Sequence, residues 1–426
     1  MQKNIAFVIY YFVDNKYSFN ALIGALETEQ FIDDIDIYFM KNKDNLINSL
    51  KNLIGKYQKV ILGISFFTTQ LWDINGLIKT LIKKYGNKLI YIAGGPHPTG
   101  DPKGTLKLGF DLVVVGEGEE TLIELFQRFM KGEDYLSIKG IAYLDKGGHY
   151  KYTGKRQPIN LNQYPPFPIK EHKLGPIEIT RGCPYVCYFC QTPYILGTQP
   201  RHRSVENICK YIELMKRKDH IDIRFITPNA FSYGSQDGKK VNIPKLEELL
   251  IKVKKTISPN GRIFLGSFPS EVRPEHVSKE TLDLIKNYCE NDNIVIGAQT
   301  GSQKMLDSCH RGHTLEDIYR AVELTINENL IANVDFIFGL PKETEEDINL
   351  TIKLIEDLVK LGARVHTHSF IPLPQTPFAN EIPSKVNETL QKYIEKLTSK
   401  GLAFGEWRKQ LELSTKLTEY LKTRKL

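Results

Sequence analysis

The segment Thr180–Cys190 reads TRGCPYVCYFC, and its three cysteines decide how the rest of the sequence is interpreted. Cys183, Cys187 and Cys190 have the spacing C-x3-C-x2-C, directly after an apolar strand pattern. Three closely spaced thiolates on one loop can hold three irons of a cubane cluster. The fourth iron then lacks a protein ligand, and such an open position distinguishes a catalytic metal site from a closed structural one. The spacing therefore predicts a [4Fe-4S] cluster with one open iron.

A zinc knob is the alternative interpretation, and it requires a fourth soft ligand. The other cysteines, Cys209, Cys289 and Cys309, are distant in sequence, and no second C-x-x-C pair is present. Cys209 and Cys289 fall on apolar faces of predicted helices, where a thiol is usually a small core residue. Six cysteines in 426 residues do not form a disulfide scaffold. Clustered thiols in such a chain indicate metal or redox chemistry.

The composition is that of an ordinary globular chain. Hydrophobic residues make up 41% and charged residues 25% of the 426 residues, which is enough for two domains with separate cores. The net charge of +7 is not concentrated in a stripe, which argues against nucleic-acid binding. The N-terminal apolar run is too short for a signal peptide, and no uncharged apolar stretch is long enough to cross a bilayer. We therefore expect a cytoplasmic protein with no membrane partner.

The first part of the chain alternates buried strands with amphipathic helices, from the strand Ile5–Tyr11 to the helix Glu119–Lys131. Continuous apolar strands separated by helices predict a parallel sheet covered on both faces. We assign residues 1–138 to a doubly wound, Rossmann-like α/β domain. Residues 139–172 contain the run NQYPPFP at 162–168, and such proline clusters stop helices and central strands. This segment is therefore predicted to be a linker.

The alternation of strand and helix resumes in residues 173–378, where six βα units follow one another, beginning with the strand Ile177–Thr180 and ending with Val365–Phe370. A series of this kind predicts a partial (β/α)6 barrel of the TIM type. The chemistry of such folds lies at the C-terminal ends of the strands. Residues 379–426 are predicted to be a helical, charged C-terminal segment.

The three cysteines, with the aromatic Phe189 before the third, resemble the radical S-adenosylmethionine (SAM) superfamily. The resemblance extends through the six βα units. It implies that the open iron chelates the amino and carboxylate groups of SAM. An electron from a low-potential donor then cleaves SAM to a 5′-deoxyadenosyl radical, which takes a hydrogen atom from the substrate.

Several segments at later strand ends resemble the SAM-binding motifs of this family. Thr227-Pro228-Asn229 occupies the place of a Gly-Gly-Glu motif, although the match is loose. Gln299 replaces the usual glutamate of a Gly-x-Glu-Ser-Gly-Ser segment, and Leu340 lies in a turn similar to Gly-Leu-Pro-Gly-Glu-Thr that is equally well explained as a plain turn. The predicted SAM-binding residues are Phe189, Thr227, Pro228, Asn229, Ser267, Glu271, Arg273, Gln299 and Leu340.

Glycine-rich segments follow three strands of the predicted first domain, where a ligand can approach the backbone closely. The G-x-G at Gly116–Gly118 lacks the third glycine of a dinucleotide fingerprint, and its acidic neighbours would repel a pyrophosphate. Gly-Gly-Pro-His and Gly-Glu-Gly-Glu at these positions instead resemble the cobalamin-binding domain of B12-dependent radical SAM enzymes. The predicted cobalamin-binding residues are Ser65, Thr68, Gly94, Gly95, Pro96, His97, Gly116, Glu117, Gly118 and Glu119.

One departure from other cobalamin proteins concerns the cobalt. The Asp-x-His-x-x-Gly motif that places a histidine on cobalt is absent, which implies that no histidine of that motif serves as the lower ligand. We interpret His97 as a hydrogen-bonding or packing residue rather than a cobalt ligand. Ser65 and Thr68 are candidates for corrin contacts, and capping of the following helix is the alternative for both.

The resemblance implies a cobalamin-dependent radical SAM methyltransferase that methylates an unactivated carbon. The similar methylthiotransferases hold a second cluster with three N-terminal cysteines, whereas the first cysteine of this sequence is Cys183. The sequence is also compatible with a cyclase, rearrangement or oxidation enzyme without net methyl transfer, and with a non-catalytic cobalamin-binding protein. The compact two-domain form resembles methanogen enzymes, including one that methylates a glutamine of methyl-coenzyme M reductase. A protein residue or a small-molecule or lipid precursor is therefore the expected acceptor.

Overall fold

The computed structural model describes residues 4–424. Within this range the chain forms two compact units, divided between Gly175 and Pro176. Among the described residues, every helix is too short or too polar to span a membrane.

The first unit is built on a seven-stranded sheet with the strand order β2-β1-β3-β4-β5-β6-β7. Strands β1 to β5 pair in parallel, and β6 and β7 add in antiparallel orientation at one edge. The order 2-1-3-4-5 is that of an open doubly wound fold. The strands are β1 (Ile5–Tyr10), β2 (Ile35–Met40), β3 (Lys59–Ser65), β4 (Ile90–Gly94), β5 (Leu112–Val114), β6 (Ile141–Leu144) and β7 (Tyr150–Tyr152).

Helices connect these strands, as the apolar periodicity predicts. The helix after β2 shows why: Asn42 caps its first turn by accepting from the amide of Asn45, and Leu46, Leu50 and Leu53 bury one face. The confirmed α/β alternation covers both faces of the sheet. The helices are α1 (Lys16–Leu26), α2 (Lys43–Lys56), α3 (Leu71–Tyr85), α4 (Pro96–Gly100), α5 (Pro102–Lys107) and α6 (Glu119–Lys131).

The predicted linker at 139–172 differs from the structure, because this segment belongs to the first unit. Ile141 and Ala142 are buried and pair with the end of β5, so β6 extends the sheet instead of leaving it. Further along, Phe167 is fully buried, and the Glu27 carboxylate accepts hydrogen bonds from the amide of Ile169 at 2.5 Å and from the next two amides. The prolines at 165, 166 and 168 exclude helix and strand at their own positions, but they do not prevent this part of the segment from packing.

The second unit contains the six predicted parallel strands and one further strand, β16, in the orders β12-β11-β8 and β13-β14-β15-β16. Beyond the end of β12, the amide of Val295 donates to Gly266 at 2.8 Å, and Val272 bridges to Ile296, so the two groups are linked. This confirms the partial barrel. The strands are β8 (Ile177–Glu178), β9 (Thr180–Arg181), β10 (Arg201–His202), β11 (Asp222–Ile226), β12 (Arg262–Phe264), β13 (Asn293–Gln299), β14 (Ile331–Phe338), β15 (Arg364–Ser369) and β16 (Ala403–Gly405).

Helices separate the strands of this unit as the predicted βα units require, and the C-terminal segment is helical as expected. Two short helices, Thr192–Leu196 and Gln303–Ser308, were not predicted. The C-terminal segment also contains β16, which the sequence did not predict because a three-residue strand has too little periodicity. Gly405 has φ 130°, and a Cβ there would lie 2.2 Å from the carbonyl oxygen of Thr367. The helices are α7 (Thr192–Leu196), α8 (Val205–Lys216), α9 (Ile243–Ile257), α10 (Lys279–Tyr288), α11 (Gln303–Ser308), α12 (Leu315–Asn327), α13 (Glu345–Leu361), α14 (Glu388–Ser399) and α15 (Trp407–Thr423).

Candidate cofactor sites

The cysteine loop begins where β9 ends, at a position that requires glycine. Gly182 has φ 93°, and a Cβ there would lie 2.4 Å from the carbonyl oxygen of Gln199. The amide of Cys183 donates to the carbonyl of Gly197 at 3.0 Å, and Cys190 donates to Cys187 at 3.1 Å. These backbone contacts fold the loop back on itself, and all three cysteines line one cavity of about 900 Å³.

Each of the three thiols accepts a hydrogen bond. The guanidinium of Arg311 donates to the Cys187 sulfur at 3.6 Å. The other donors are the amide of Tyr185 for Cys183 and the amide and hydroxyl of Thr192 for Cys190. Hydrogen bonds of this kind stabilise thiolates that ligate iron and tune the cluster. All six cysteines are free, and within residues 4–424 no fourth cysteine lines the cavity. The donor set therefore fits a three-cysteine cluster with one open iron.

Two buried arginines surround the thiols with positive charge. Arg311 also donates to the carbonyl of Gly297 at 2.7 Å, and Arg273 donates to the carbonyl of Arg311. The Arg273 guanidinium lies 3.4 Å above the Tyr185 ring and bonds Glu275 at 2.5 Å.

Burial raises the pKa of the Cys190 thiol to about 11, so iron binding there releases a proton.

Seven of the predicted SAM-binding residues line the same cavity, and two do not. Asn229 is instead engaged within the protein, because its side chain contacts His276 at 2.7 Å and accepts from the Arg273 amide at 3.3 Å. Leu340 is fully buried in an apolar cluster with Phe370 and Phe378. Its side chain does not face the cavity, which favours the plain-turn interpretation of its segment. The residues that line the cavity are Phe189, Thr227, Pro228, Ser267, Glu271, Arg273 and Gln299.

Ser267 is unusual in its hydrogen bonding and Glu271 in its pKa. The Ser267 hydroxyl is buried and has no hydrogen-bond partner among residues 4–424, so it is available to a ligand. Burial, together with the nearby Asp335 carboxylate, raises the pKa of Glu271 to about 7. Both observations are consistent with side chains that face a polar ligand.

Sequence reasoning missed several polar residues that line the cavity, among them Arg311, Asp335, His366 and His368. Asp335 lies within the apolar strand β14, and His366 and His368 lie two residues apart on β15. Alternate residues of a strand point to one face. The His-x-His pattern and a charged residue inside an otherwise apolar strand were the available signals.

In the first unit, the ends of β1 and β3 define the point at which the strand order reverses. Ligands of open α/β sheets bind in the crevice at such a switch point. The Asn15 side chain joins the two strand ends by donating to the carbonyls of Tyr10 at 3.0 Å and Ser65 at 2.8 Å. This fixes the backbone beside Ser65, the last residue of β3.

The Gly-Gly-Pro-His segment packs tightly against the end of β3. Gly95 has φ 92°, and a Cβ there would lie 2.5 Å from the Ser65 hydroxyl. Pro96 begins α4, with only Gly95 between it and the end of β4 at Gly94. His97 is fully buried, its ring stacks on Phe66 at 5.3 Å, and its Nδ1 lies 3.1 Å from the Thr68 hydroxyl. These contacts are those of a hydrogen-bonding and packing residue.

The Gly-Glu-Gly-Glu segment follows β5. Gly116 has φ 85° with open space at its Cβ position, and its amide donates to the Thr99 hydroxyl at 3.1 Å. The Glu117 carboxylate accepts from the amide of Ile159 at 3.1 Å. Gly118 lies against Leu22, and the buried Glu119 begins α6. The predicted cobalamin-binding residues therefore lie at the carboxyl ends of β3, β4 and β5.

Two family models match the chain, and together they cover more than half of it. The radical SAM superfamily model matches residues 177–355, and the B12-binding domain model matches residues 16–126. The chain belongs to the cobalamin-dependent radical SAM enzymes. Its cofactors are a [4Fe-4S] cluster, SAM and cobalamin.

Two relatives show how far the sequence similarity reaches. An uncharacterized methyltransferase of Pyrococcus horikoshii is 25% identical over 338 residues, which cover 76% of this chain and 70% of the relative. A tRNA-2-methylthio-N(6)-dimethylallyladenosine synthase of Petrotoga mobilis is 29% identical over 64% of this chain and 62% of its own length. The chain thus spans less than two thirds of the second relative.

Two solved structures share the fold. The radical SAM methyltransferase TsrM from Kitasatospora setae, with cobalamin and a [4Fe-4S] cluster bound, matches 90% of this chain and 78% of its own with a TM-score of 0.70 at 18% identity. The cobalamin-dependent radical enzyme OxsB matches 93% of this chain and 55% of its own with a TM-score of 0.63 at 19% identity. At these identities the likeness shows the fold alone.

Proposed function

We propose that this protein transfers a methyl group from methylcobalamin to an unactivated sp3 carbon of its substrate after hydrogen-atom abstraction. The observation that carries the proposal is the set of three hydrogen-bonded thiols opening onto a cavity of about 900 Å³. When bound, the cofactors supply the hydrogen-abstracting radical and the methyl group. The chain itself supplies binding, orientation and exclusion of water.

The polar side chains of the cavity suit the polar groups of SAM. The Ser267 hydroxyl, which is buried without a partner among the described residues, is placed to bond a ribose hydroxyl. Arg273 and Arg311 counter the negative charge of a thiolate-ligated cluster and of a bound carboxylate. Gln299 also lines the cavity, and it orients a ligand without adding the charge of the glutamate found in related enzymes.

Apolar side chains form the other walls of the cavity. Phe189, Ile337 and Phe404 line it, and Phe268 is 76% exposed at its border. Apolar walls of this kind exclude water, which protects a reactive radical from side reactions.

The size of the cavity bears on the methyl acceptor. A volume of about 900 Å³ lies within the roughly 300–1,000 Å³ typical of small-molecule sites, and the same space must take SAM. This supports a small-molecule acceptor or one inserted side chain. A TsrM structure holds tryptophan as substrate together with a SAM analogue, which is consistent with a small acceptor. Methylation of a protein glutamine stays a prediction from sequence.

Methylthiotransfer is less well supported, although relatives carry that name. That chemistry uses a second cluster held by three N-terminal cysteines, and no cysteine precedes Cys183 in this sequence. A radical enzyme without net methyl transfer is the second candidate, because it needs the same cavity and the same thiols.

The proposal is tested with anaerobically purified protein reconstituted with iron, sulfide and cobalamin. We expect about four irons and one corrinoid per chain, and transfer of a labelled methyl group from SAM to an acceptor with 5′-deoxyadenosine as co-product. Production of 5′-deoxyadenosine with product but no transferred label would favour cyclisation or oxidation. Bound corrinoid without any SAM cleavage would indicate a cobalamin carrier and contradict the proposal.

A further inference from the structure

Three side chains on neighbouring strands of the barrel converge inside the cavity, away from the cysteine loop in sequence. Asp335 on β14 is paired in register with His366 on β15, and His368 follows two residues later on the same face. The Asp335 Oδ1 atom lies 2.8 Å from His366 Nδ1, which in turn lies 3.3 Å from His368 Nε2. One ligand atom from each residue lies within 4.8 Å of the other two.

His366 Nδ1 takes part in both contacts, one with Asp335 and one with His368, and a single hydrogen on this nitrogen does not satisfy both. His366 Nδ1 either carries one hydrogen or is a bare acceptor. If it donates to Asp335, His368 Nε2 faces a nitrogen whose only hydrogen is already used. If it accepts from His368, the Asp335 carboxylate oxygen faces a nitrogen lone pair. Protonation of His366 adds a hydrogen at Nε2 and leaves Nδ1 with one. A cation bound between the three atoms would satisfy all three lone pairs together.

Two of the three separations between these atoms suit a metal ion, and the third is no more than 4.8 Å. Ligands about 2.1 Å from an ion, at tetrahedral to octahedral angles, lie about 3.0–3.4 Å apart. The two measured contacts of 2.8 and 3.3 Å bracket most of that range. Two imidazoles with one carboxylate are a ligand set for Zn²⁺, Fe²⁺ or Mn²⁺.

The surrounding residues hold the ligands in place. Phe404 on β16 stacks on the His366 ring at 4.6 Å, and the Thr367 hydroxyl donates to the Phe404 carbonyl at 3.0 Å. Asp335 is buried, whereas His366 and His368 are partly open to the cavity. Such outer contacts orient metal ligands, and the open side leaves coordination positions for a ligand from the cavity.

We propose that Asp335, His366 and His368 form a mononuclear site for a divalent transition-metal ion, distinct from the cluster, whose open positions bind an oxygen-containing group of the substrate. The site goes beyond the methyl-transfer proposal and does not depend on it. It requires no cobalamin and no SAM to be tested.

The test is a titration of the reconstituted, cluster-containing protein with Mn²⁺. Binding is measured by electron paramagnetic resonance as the loss of the signal of free Mn²⁺. Mn²⁺ is chosen because thiolates disfavour it. We expect one saturable site per chain, weakened more than about tenfold in His366→Asn and in His368→Asn, and unchanged in the control His149→Asn, whose side chain is 79% exposed in the first unit. Iron content and melting temperature must match those of the wild type.

Equal affinity in the wild type and both variants, or no saturable binding in the wild type, would overturn the proposal. A second measurement needs no variant: one equivalent of Zn²⁺ should displace the bound Mn²⁺ while the iron content stays constant, since imidazole ligands favour zinc. Retention of Mn²⁺ under these conditions would also contradict the site. Methyl transfer that fails while Mn²⁺ binding persists would contradict the function and leave the metal site standing.

Discussion

The two units present their ligand-facing groups by different means. In the first, glycines and backbone groups at the ends of β3, β4 and β5 form the surface, and polar side chains such as His97 and Glu117 are engaged inside the unit. In the second, charged side chains such as Arg311 and Asp335 point into a cavity. The first unit is shaped to approach a large preformed cofactor closely. The second is built to hold charge and to exclude water.

The comparison predicts that a substitution in one unit removes the cofactor of that unit and leaves the other cofactor bound. The largest loss of activity is expected at the cluster. Cys187→Ala removes one of three iron ligands, so we expect loss of the cluster and of all SAM cleavage, measured as iron per chain and 5′-deoxyadenosine formed. Corrinoid binding by the first unit should persist. The control Cys209→Ala, on α8 outside the cavity, should keep both cofactors. Loss of corrinoid in Cys187→Ala would contradict the separation.

A substitution in the first unit should have the opposite result, weaker corrinoid binding with the cluster intact. Gly95→Ala places a Cβ 2.5 Å from the Ser65 hydroxyl at φ 92°, which should cost about 1–3 kcal/mol and move the segment. We expect corrinoid affinity, measured by equilibrium dialysis, to fall at least about tenfold while the iron content is unchanged. Gly55→Ala, on α2 with open space around it, is the matched control. Unchanged corrinoid affinity in Gly95→Ala would show that this segment does not bind the cofactor.

A smaller effect tests the role of charge in the second unit. Arg311→Gln removes the cationic donor to Cys187, which stabilises the more negative, reduced cluster. We expect the midpoint potential to fall by on the order of 40 mV, equivalent to about 1 kcal/mol, the typical net contribution of one hydrogen bond. A redox titration followed by electron paramagnetic resonance measures the shift. Arg320→Gln, at an exposed position on α12, is the control, and an equal shift in both variants would exclude a local effect.

The smallest effect on the cofactor sites is expected at Glu343, where a substitution changes the stability of the fold. Burial raises the pKa of Glu343 to about 7 from an ordinary value of 4.5. The folded state therefore holds this proton between those values while the unfolded state has lost it, so stability declines as pH rises from 4.5 to 7. Glu343→Gln keeps an acceptor for the Gly339 amide. Its stability relative to the wild type should be about 2–3 kcal/mol more favourable at pH 8 than at pH 5. Thermal melts at the two pH values measure this, and a stability difference between variant and wild type that is the same at both would contradict it.

Much of the fold could be predicted because its signals are local. The strand and helix patterns from Ile5 to Lys131, and from Ile177 to Phe370, follow from apolar periodicity within single elements. The thiol triad was equally readable, since three ligands within eight residues need no tertiary information. The linker prediction failed for the opposite reason, because prolines near 165 describe local irregularity and do not report that Phe167 is buried.

The sequence by itself determined the element order, the two-domain class and the cluster ligands, since spacing and periodicity are properties of neighbouring residues. Only the tertiary structure decided which distant side chains meet. Arg311 reaches a sulfur 124 positions earlier in the chain, and Asp335 meets His366 through the register of β14 and β15. Register depends on packing of the whole barrel, and a single sequence does not encode it in any one segment. The strand β16 was likewise decided by tertiary structure, because it forms only by pairing with β15, where its Phe404 stacks on His366.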